Sequence, residues 1–399
     1  MTLMASISDL AEINPRVPGN ILNSPNRLIS FVPMAAVTTE GKIIPTETRC
    51  VADTLRGFTY FKRGDVLLAK ITPCMENGKA VYLEKLEHEV GFGSTEFHVL
   101  RPKSVVVGKY LFYMIWNPGF RYSARKSMTG TAGQKRVPSS FLQTYKIPLP
   151  GLTSQKRIAA ILDKADALRQ KRKQSLKLLD EFIRSVFLDM FGDPVINLKN
   201  WKSFKVEEIA SSEPNSIKAG PFGSSLKKEI YVERGYKIYG QEQVIRDDLK
   251  YGNYFIDEEK YEELSNYKIR AGDILISLVG TFGLISIVPS DFTPGIINPR
   301  LMKITLDRTK IISIFFKYML QTNGIMRKIK SASHGGTMDI VNVGIMRRIE
   351  IPVPPVDLQL KFKAIYKMHL KIKQKQEIAL SEMEKQFNSL VYRAFRGEL

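Results

Sequence analysis

Glycine, hydroxyl and basic residues gather in short loops along this chain, and loops of that composition can grip a polyanion. The first half carries ITPCMENGK (71–79), GFGSTEF (91–97) and RKSMTGTAGQKR (125–136). The second carries KAGPFGSSLKK (218–228), KIYGQEQ (237–243), VGTFG (279–283) and RKIKSASHGGTMD (327–339). Glycine lets backbone come close to phosphates, lysine and arginine supply counter-charge, and Gln, Asn, Ser, Thr and Arg can bond base edges. Gln134 and Arg136, with Gln241 and Gln243, are the first-choice base readers. Thr72, Asn77, Thr95 and Thr131 join them in the first half, and Ser224, Thr281, His334 and Thr337 in the second. Phosphate contacts are expected from Lys79, Arg125, Lys126 and Lys135, and from Lys218, Lys227, Lys228, Lys328 and Lys330. Losing one of these cations should weaken binding alike on every sequence.

Catalytic signatures are missing. Gly41-Lys42, Gly78-Lys79 and Gly108-Lys109 are followed by Ile43, Ala80 and Tyr110, so no phosphate-binding GxxxxGK[ST] loop exists. The nearest approach to the [DN]PP[YF] loop of an amino-methyltransferase is Asn117-Pro118-Gly119-Phe120, which lacks the second proline. The glycine string at Gly91 reads as a turn between strands. Glu258-Glu259-Lys260 has the letters of a nuclease pair but lies in an acidic, helical-looking stretch. Cys50 and Cys74 are the only cysteines, and His88, His98, His334 and His369 match no metal spacing. The expectation is a chain with no catalytic residue, no metal ligand and no bound cofactor.

Composition names the partner. Sixty Lys plus Arg against 40 Asp plus Glu give a net charge of +20, with a sequence pI near 9.7, while 44% of residues are hydrophobic. A folded, strongly basic surface attracts nucleic acid, because each neutralised phosphate releases counterions. No run of about 18 uncharged apolar residues is present, and the N-terminus lacks a basic segment followed by an apolar one. A cytoplasmic protein without membrane contact is expected.

The elements that must hold these loops come in two copies. YKIPLPGLTSQKRIAAILDKADALRQKRK, from Tyr145, returns as IEIPVPPVDLQLKFKAIYKMHLKIKQKQE, from Ile349, so that Ile147, Pro148, Gln155 and Ile161 recur 204 positions on as Ile351, Pro352, Gln359 and Ile365. A period that long is a duplicated domain, not a solenoid. FKRGDVLLAKITP (61–73) pairs with IRAGDILISLVGT (269–281), each a Gly-Asp turn leading into a buried strand. An α+β fold with a curved, mixed sheet in each half is expected, in four segments: 1–150, 151–195, 196–355 and 356–399.

The second and fourth segments read as long helices. Inward positions run Ile158, Leu162, Ala165, Arg169, Arg172, Leu176, Leu179, Ile183, Val186, Met190 until Gly192-Asp193-Pro194 stops the helix. The counterpart runs Phe362, Tyr366, His369, Lys373, Gln376, Leu380, Met383, Phe387, Leu390, Ala394. Apolar ends with a polar centre imply two antiparallel helices whose register is fixed in the middle. A helix of about 38 residues would be about 57 Å long and act as a spacer.

IPLPGLTSQKRIAAILDKADAL, RGDVLLAKITPCMENGK with GFGSTEFHVLRP, and GPFGSSLKKE with GYKIYGQE and AGDILIS resemble the specificity subunit of type I restriction-modification systems, over nearly the whole chain. The resemblance implies two target recognition domains separated by two long antiparallel helices. Each domain would read one part of a split, asymmetric site in double-stranded DNA. It also implies two methyltransferase subunits docked on the helices, here through Gln155, Ile158, Leu162, Leu176 and Leu179 and through Gln359, Phe362, Tyr366, Leu380 and Met383, and beyond them two restriction subunits. AdoMet, ATP and Mg2+ would then belong to those partners. Two other classes stay open at this level. A stand-alone DNA-modifying enzyme would depend on AdoMet or a metal by itself, and a non-specific nucleic-acid-binding adaptor would show no preference among duplexes.

Overall fold

The computed structural model describes residues 3–131, 133–222, 225–278, 283–333 and 342–399. The chain forms two compact units, one made of Met1–Gln174 with Glu377–Leu399, the other of Ser175–Gln376. Two helices of 40 residues, a central helix Leu152–Phe191 and a C-terminal helix Val356–Phe395, each give their first part to one unit and their last part to the other. Pro150 and Pro355 stand just ahead of the central and C-terminal helices, whose first turns close from Gln155 N to Gly151 O at 3.0 Å and from Gln359 N to Pro355 O at 3.2 Å. Gly192, at φ +80°, ends the central helix, its N–H donating to Leu188 O at 2.7 Å.

Among its described residues the first unit holds ten strands: β1 Met4–Ser6, β2 Ala11–Ile13, β3 Leu28–Val32, β4 Glu47–Cys50, β5 Thr59–Lys62, β6 Val66–Ala69, β7 Ala80–Tyr82, β8 Val90–Gly93, β9 Phe97–Pro102 and β10 Lys146–Pro148. They make an antiparallel sheet in the order β2-β9-β6-β7, a mixed sheet β4-β3-β8-β5 with β3 and β8 parallel, and the pair β1-β10. Helices α1 Gly108–Trp116 and α2 Pro118–Lys126 lie between β9 and β10. The mixed sheet expected from the sequence is thus present beside a second, wholly antiparallel one. All four residues of β6 are buried, as a continuous Val-Leu-Leu-Ala run requires of a strand covered on both faces.

The second unit repeats the plan. Strands β11 Ser203–Lys205, β12 Ile217–Ala219, β13 Tyr236–Tyr239, β14 Phe255–Ile256, β15 Ile274–Ser277, β16 Ile285–Ile287, β17 Gly295–Ile297, β18 Leu301–Ile304 and β19 Glu350–Pro352 form an antiparallel sheet β12-β18-β15-β16. A mixed sheet β14-β13-β17, with β13 and β17 parallel, and the pair β11-β19 complete it. Helices α3 Ser313–Leu320 and α4 Asn323–Ser333 match α1 and α2. The Gly-Asp turns before β6 and β15 work alike: Asp65 accepts from Lys62 N and Asp273 from Arg270 N, both at 2.8 Å. Asp65 then takes Arg101 bidentately, whereas Asp273 takes the Thr305 hydroxyl, and burial lifts the Asp273 carboxyl above its ordinary range.

Within each unit the two helix segments run antiparallel. In the first, Ile158 and Leu162 share a core with Val391 and Ala394, while further along Lys173 meets Glu384 at 3.3 Å. In the second, Phe187 and Phe191 pack on Phe362, and Asp180 accepts from Lys373 at 2.8 Å. The polar middle of each series is therefore a charge clamp, which fixes register where apolar contacts give out. Gln155 and Gln359 play one part twice. Each is buried, each accepts from the backbone N–H just before a helix (Val107 at 2.8 Å, Ile312 at 2.9 Å), and each donates to a proline carbonyl (Pro150, Pro354) at 2.8 Å.

Candidate nucleic-acid interface

In the first unit the three loops read from the sequence come together. Thr72 N donates to Lys135 O at 2.9 Å, Lys70 N to Glu96 O at 2.9 Å, and Val137 N to Lys70 O at 2.9 Å. Thr129 and Arg136 exchange backbone bonds of 3.0 and 2.8 Å, closing a hairpin whose Thr131, Gln134 and Lys135 side chains are exposed. Asn77 and Thr95 are exposed on the neighbouring loops. Thr72 is half-buried, its hydroxyl 3.9 Å from Met128 Sδ.

Arg136 is held by Glu96. Its Nε donates to both carboxylate oxygens at 3.1 and 2.9 Å, its Nη2 to Oε1 at 2.8 Å, and its Nη1 to Gln134 O at 3.1 Å. The same bonds hold the Glu96 carboxyl below the usual carboxylate range. A guanidinium has five N–H groups in a fixed fork, so about two stay available while its plane is fixed. A guanidinium so held has the donors that an acceptor pair on a base edge would require.

His98 supports this hairpin from beneath. It is 4% exposed, with Nε2 2.8 Å from Val137 O and Nδ1 3.2 Å from Asn14 Nδ2. Those partners suit a neutral ring that donates from Nε2 and accepts at Nδ1, and burial lowers its pKa from the ordinary value. A depressed folded-state pKa means that the unfolded chain takes up the proton first. The stability is therefore full above about pH 6.5 and is lost as pH falls towards the folded value. Urea unfolding at pH 7.5 and 5.5 should show this loss in the parent and a smaller one in His98→Gln; equal losses would remove His98 as the cause.

The cations divide. Lys135 is exposed, Arg125 pairs with Glu76 at 3.1 Å, and Lys126 lies 4.4 Å from the Tyr122 ring centre. Lys79 departs from expectation: its Nζ donates to Met34 O at 3.0 Å, so it ties the loop to the sheet instead of facing a phosphate.

In the second unit the loops meet at a turn the sequence reading did not single out, Asn298-Pro299-Arg300 between β17 and β18. Asn298 N donates to Tyr239 O at 2.8 Å, Gly220 N to Leu301 O at 2.9 Å, and Leu278 N to Arg300 O at 3.0 Å. Gly220 lies so close that a Cβ there would sit 1.9 Å from Asn298 O. Arg300 is exposed. The 204-residue repeat carries the signal: it maps Ser94-Thr95-Glu96 onto this turn. Beside it Phe222 is 87% exposed, another feature the sequence reading passed over.

Gln243 is a correction. It is 2% exposed, its Oε1 accepts from Gly240 N at 2.9 Å and its Nε2 donates to Tyr251 O at 3.1 Å, so its amide shapes the turn from inside. Gln241 is half-buried at the start of the same short helix. Lys227 and Lys228 are exposed, as are Lys328 and Lys330 on α4, while Lys218 lies half-buried, 5.5 Å from the Tyr267 ring centre. Ser224, Thr281, His334 and Thr337 lie outside the described residues.

The helix residues expected to dock partners are a second correction. Gln155, Ile158, Leu162, Gln359 and Phe362 are buried in their own units, and Leu176, Leu179, Tyr366, Leu380 and Met383 are half-buried along the seam. A 4,3-spaced apolar series marks the face a helix turns inward. What the helices offer outward is a different set, including Leu178, Phe182, Met368 and Ile372 in the second unit, at 55%, 56%, 65% and 44% exposure.

Among the described residues no group of three or more His, Cys, Asp or Glu could hold a metal ion, and no helix is long and apolar enough to cross a membrane. The chain is similar to known proteins. The EcoEI specificity subunit of a type I restriction enzyme from Escherichia coli is 40% identical over 178 residues, 44% of this chain and 30% of that protein. The EcoAI specificity subunit, also from Escherichia coli, is 36% identical over 187 residues, 45% of this chain and 31% of that protein. The chain thus matches less than a third of the length of these two relatives. A longer match, 23% identical over 75% of this chain and 72% of the relative, is to the MjaVIII specificity subunit of Methanocaldococcus jannaschii.

Solved structures agree on the fold. A chain from work on complex assembly and conformational transition of the type I R-M system gives a TM-score of 0.64 at 17% identity, over 100% of this chain and 98% of that one. The S subunit of a type I restriction-modification system from M. genitalium gives 0.51 at 16% identity, over 98% and 96%. A family model described as "Type I restriction modification DNA specificity domain" matches twice, over residues 6–178 and 198–380, one copy for each repeat of strands, loops and helix. The chain belongs to the type I restriction modification DNA specificity domain family.

Proposed function

We propose that this chain is the DNA-reading subunit of a type I restriction-modification enzyme, each unit recognising one part of a split, asymmetric site in double-stranded DNA. The observation that carries this reading is the duplication of one loop surface. Equivalent turns, Ser94 to Glu96 and Asn298 to Arg300, each gather glycine-rich and basic loops on a chain of net charge +20. Phosphate contacts from residues such as Lys135, Lys227 and Lys228 would position the duplex, and base contacts from Arg136, Gln134 and Asn77 would specify it.

The chain has no chemistry of its own in this reading. It places two methyltransferase subunits over an adenine in each part of the site and, with them, two restriction subunits, in the cytoplasm. AdoMet, ATP and Mg2+ act on those partners. The outward apolar residues of the long helices, Leu178 and Phe182 one turn apart on one and Met368 and Ile372 one turn apart on the other, fit such docking, because exposed apolar neighbours mark protein interaction sites.

The test is a methylation map. The chain is co-expressed with its neighbouring methyltransferase subunit in a methylation-deficient host, and N6-methyladenine is located by long-read sequencing. A split asymmetric motif with one methylated adenine per strand is expected. No methylation from an assembled complex would favour the adaptor reading, and methylation by the chain alone would overturn the non-catalytic one.

A further inference from the structure

A cavity of about 190 Å³ lies in the first unit, lined by Glu40, Trp116, Arg121, Arg169, Lys173 and Asn388 among others. Three cations face it, and two of them are answered. Arg169 Nη2 pairs with Asp166 at 2.6 Å, and its guanidinium sits 4.2 Å from the Phe387 ring centre; Lys173 pairs with Glu384 at 3.3 Å. Glu40, the carboxylate in the lining, accepts from the Thr39 hydroxyl at 3.1 Å.

Arg121 is different. It makes no ion pair among the described residues, and burial alone pulls its pKa below the ordinary value; its Nε is buried without a hydrogen-bond partner, as is that of Arg169, but Arg169 has Asp166 whereas Arg121 has no carboxylate. A desolvated, unpaired charge is costly to keep. The fold does not require it, because the second copy has Met326 at the same place, two residues after the glycine that opens the helix (Gly119 in α2, Gly324 in α4). The protein therefore maintains a half-buried guanidinium, beside Arg169 and Lys173, that its own carboxylates leave unanswered.

We propose that this cavity is a phosphate site, filled by a backbone phosphate of DNA bound to the first unit. Its position gives the source, and for that source the inference rests on the DNA reading above. Arg121 Nη1 lies against Gly78, where a Cβ would sit 2.4 Å away and where φ is +81°, so only glycine lets the guanidinium reach the loop. Trp116 Nε1 fixes the same turn by donating to Gly78 O at 3.0 Å. The preceding Asn77 is exposed on the recognition surface, and Arg125 and Lys126 continue the basic face of α2 by one turn. The contact reads no base and is the same for every sequence.

Arg121→Met, which copies the second repeat, tests this on the full chain in two arms. In chloride the variant should melt no lower than the parent, because an unanswered charge is removed. In inorganic phosphate at equal ionic strength the parent should gain melting temperature and the variant should not. On duplexes of unrelated sequence, the slope of log affinity against log salt should become shallower by about one. Loss of the phosphate gain with an unchanged slope would keep the site and assign it to a free phosphate-bearing ligand. A variant that melts several degrees lower in chloride and responds to phosphate like the parent would overturn the proposal. Should the parent bind no duplex, the DNA reading fails, while the melting arm still decides the cavity.

Discussion

Phe362→Ala is expected to lower the melting temperature of the chain by about 10 °C or more. Phe362 is fully buried, and its ring has four aromatic neighbours: Phe187 at 5.3 Å, Phe191 at 5.6 Å, Tyr318 at 5.2 Å and Tyr366 at 6.5 Å between centroids. Three of the four lie on other elements, two on the central helix and one on α3, so truncation opens a cavity where three helices meet. Large-to-small changes of this kind cost about 3–5 kcal/mol, with about 0.5–1.5 kcal/mol for each aromatic pair beyond its area. At about 2–4 °C per kcal/mol for a unit of this size, the shift is of that order. Phe362→Leu keeps most of the volume and should cost less than about 1.5 kcal/mol. Thermal unfolding of the three chains side by side checks this. An alanine variant melting within about 2 °C of the parent would mean that the ring cluster does not hold the helix pair to its domain.

That cluster shows what was legible in the sequence and what was not. Phe362, Tyr366, His369 and Lys373 could be placed on one helix face from 4,3 spacing alone, and the Gly-Asp turns before β6 and β15 marked their buried strands, because local patterns of apolar residues decide local structure. Spacing could not say what that face meets. The same residues satisfy a seam between helices, a domain core or a docking surface, and only the packing of Phe315, Tyr318 and Phe187 around Phe362 separates these. Polar residues were harder still. Gln243 and Gln134 look alike as loop glutamines, yet one is buried with its amide bonded inside the fold and the other is exposed. Lys79 looked like a phosphate contact beside Gly78 and instead holds Met34 O. Which loop residues face outward depends on long-range bonds, such as Thr72 N to Lys135 O across the first unit, that no local signal carries.

Arg136→Ala should weaken recognition of one half of the split target by about 10- to 100-fold and leave the other half unchanged. The first part of that figure is the lost bidentate contact to a base, about 1–3 kcal/mol. The second is Glu96: freed of its partner, its carboxylate stays ionised at neutral pH and stands bare on the surface that the proposed reading turns towards phosphates. Glu96 is held low by Arg136, so the pair is a unit, and removing the second member after the first should partly restore binding to DNA of any sequence without restoring specificity. A double-mutant cycle with Arg136→Ala, Glu96→Ala and both reads this coupling, scored by methylation of targets carrying each single-base change in either half. If Arg136 reads a base, discrimination collapses at one position of one half. If it only braces the hairpin closed by Thr129, discrimination softens across that whole half and unfolding stability falls with it. Loss of discrimination in both halves alike would contradict the assignment of one half to each unit, since every bond that positions Arg136 lies within the first.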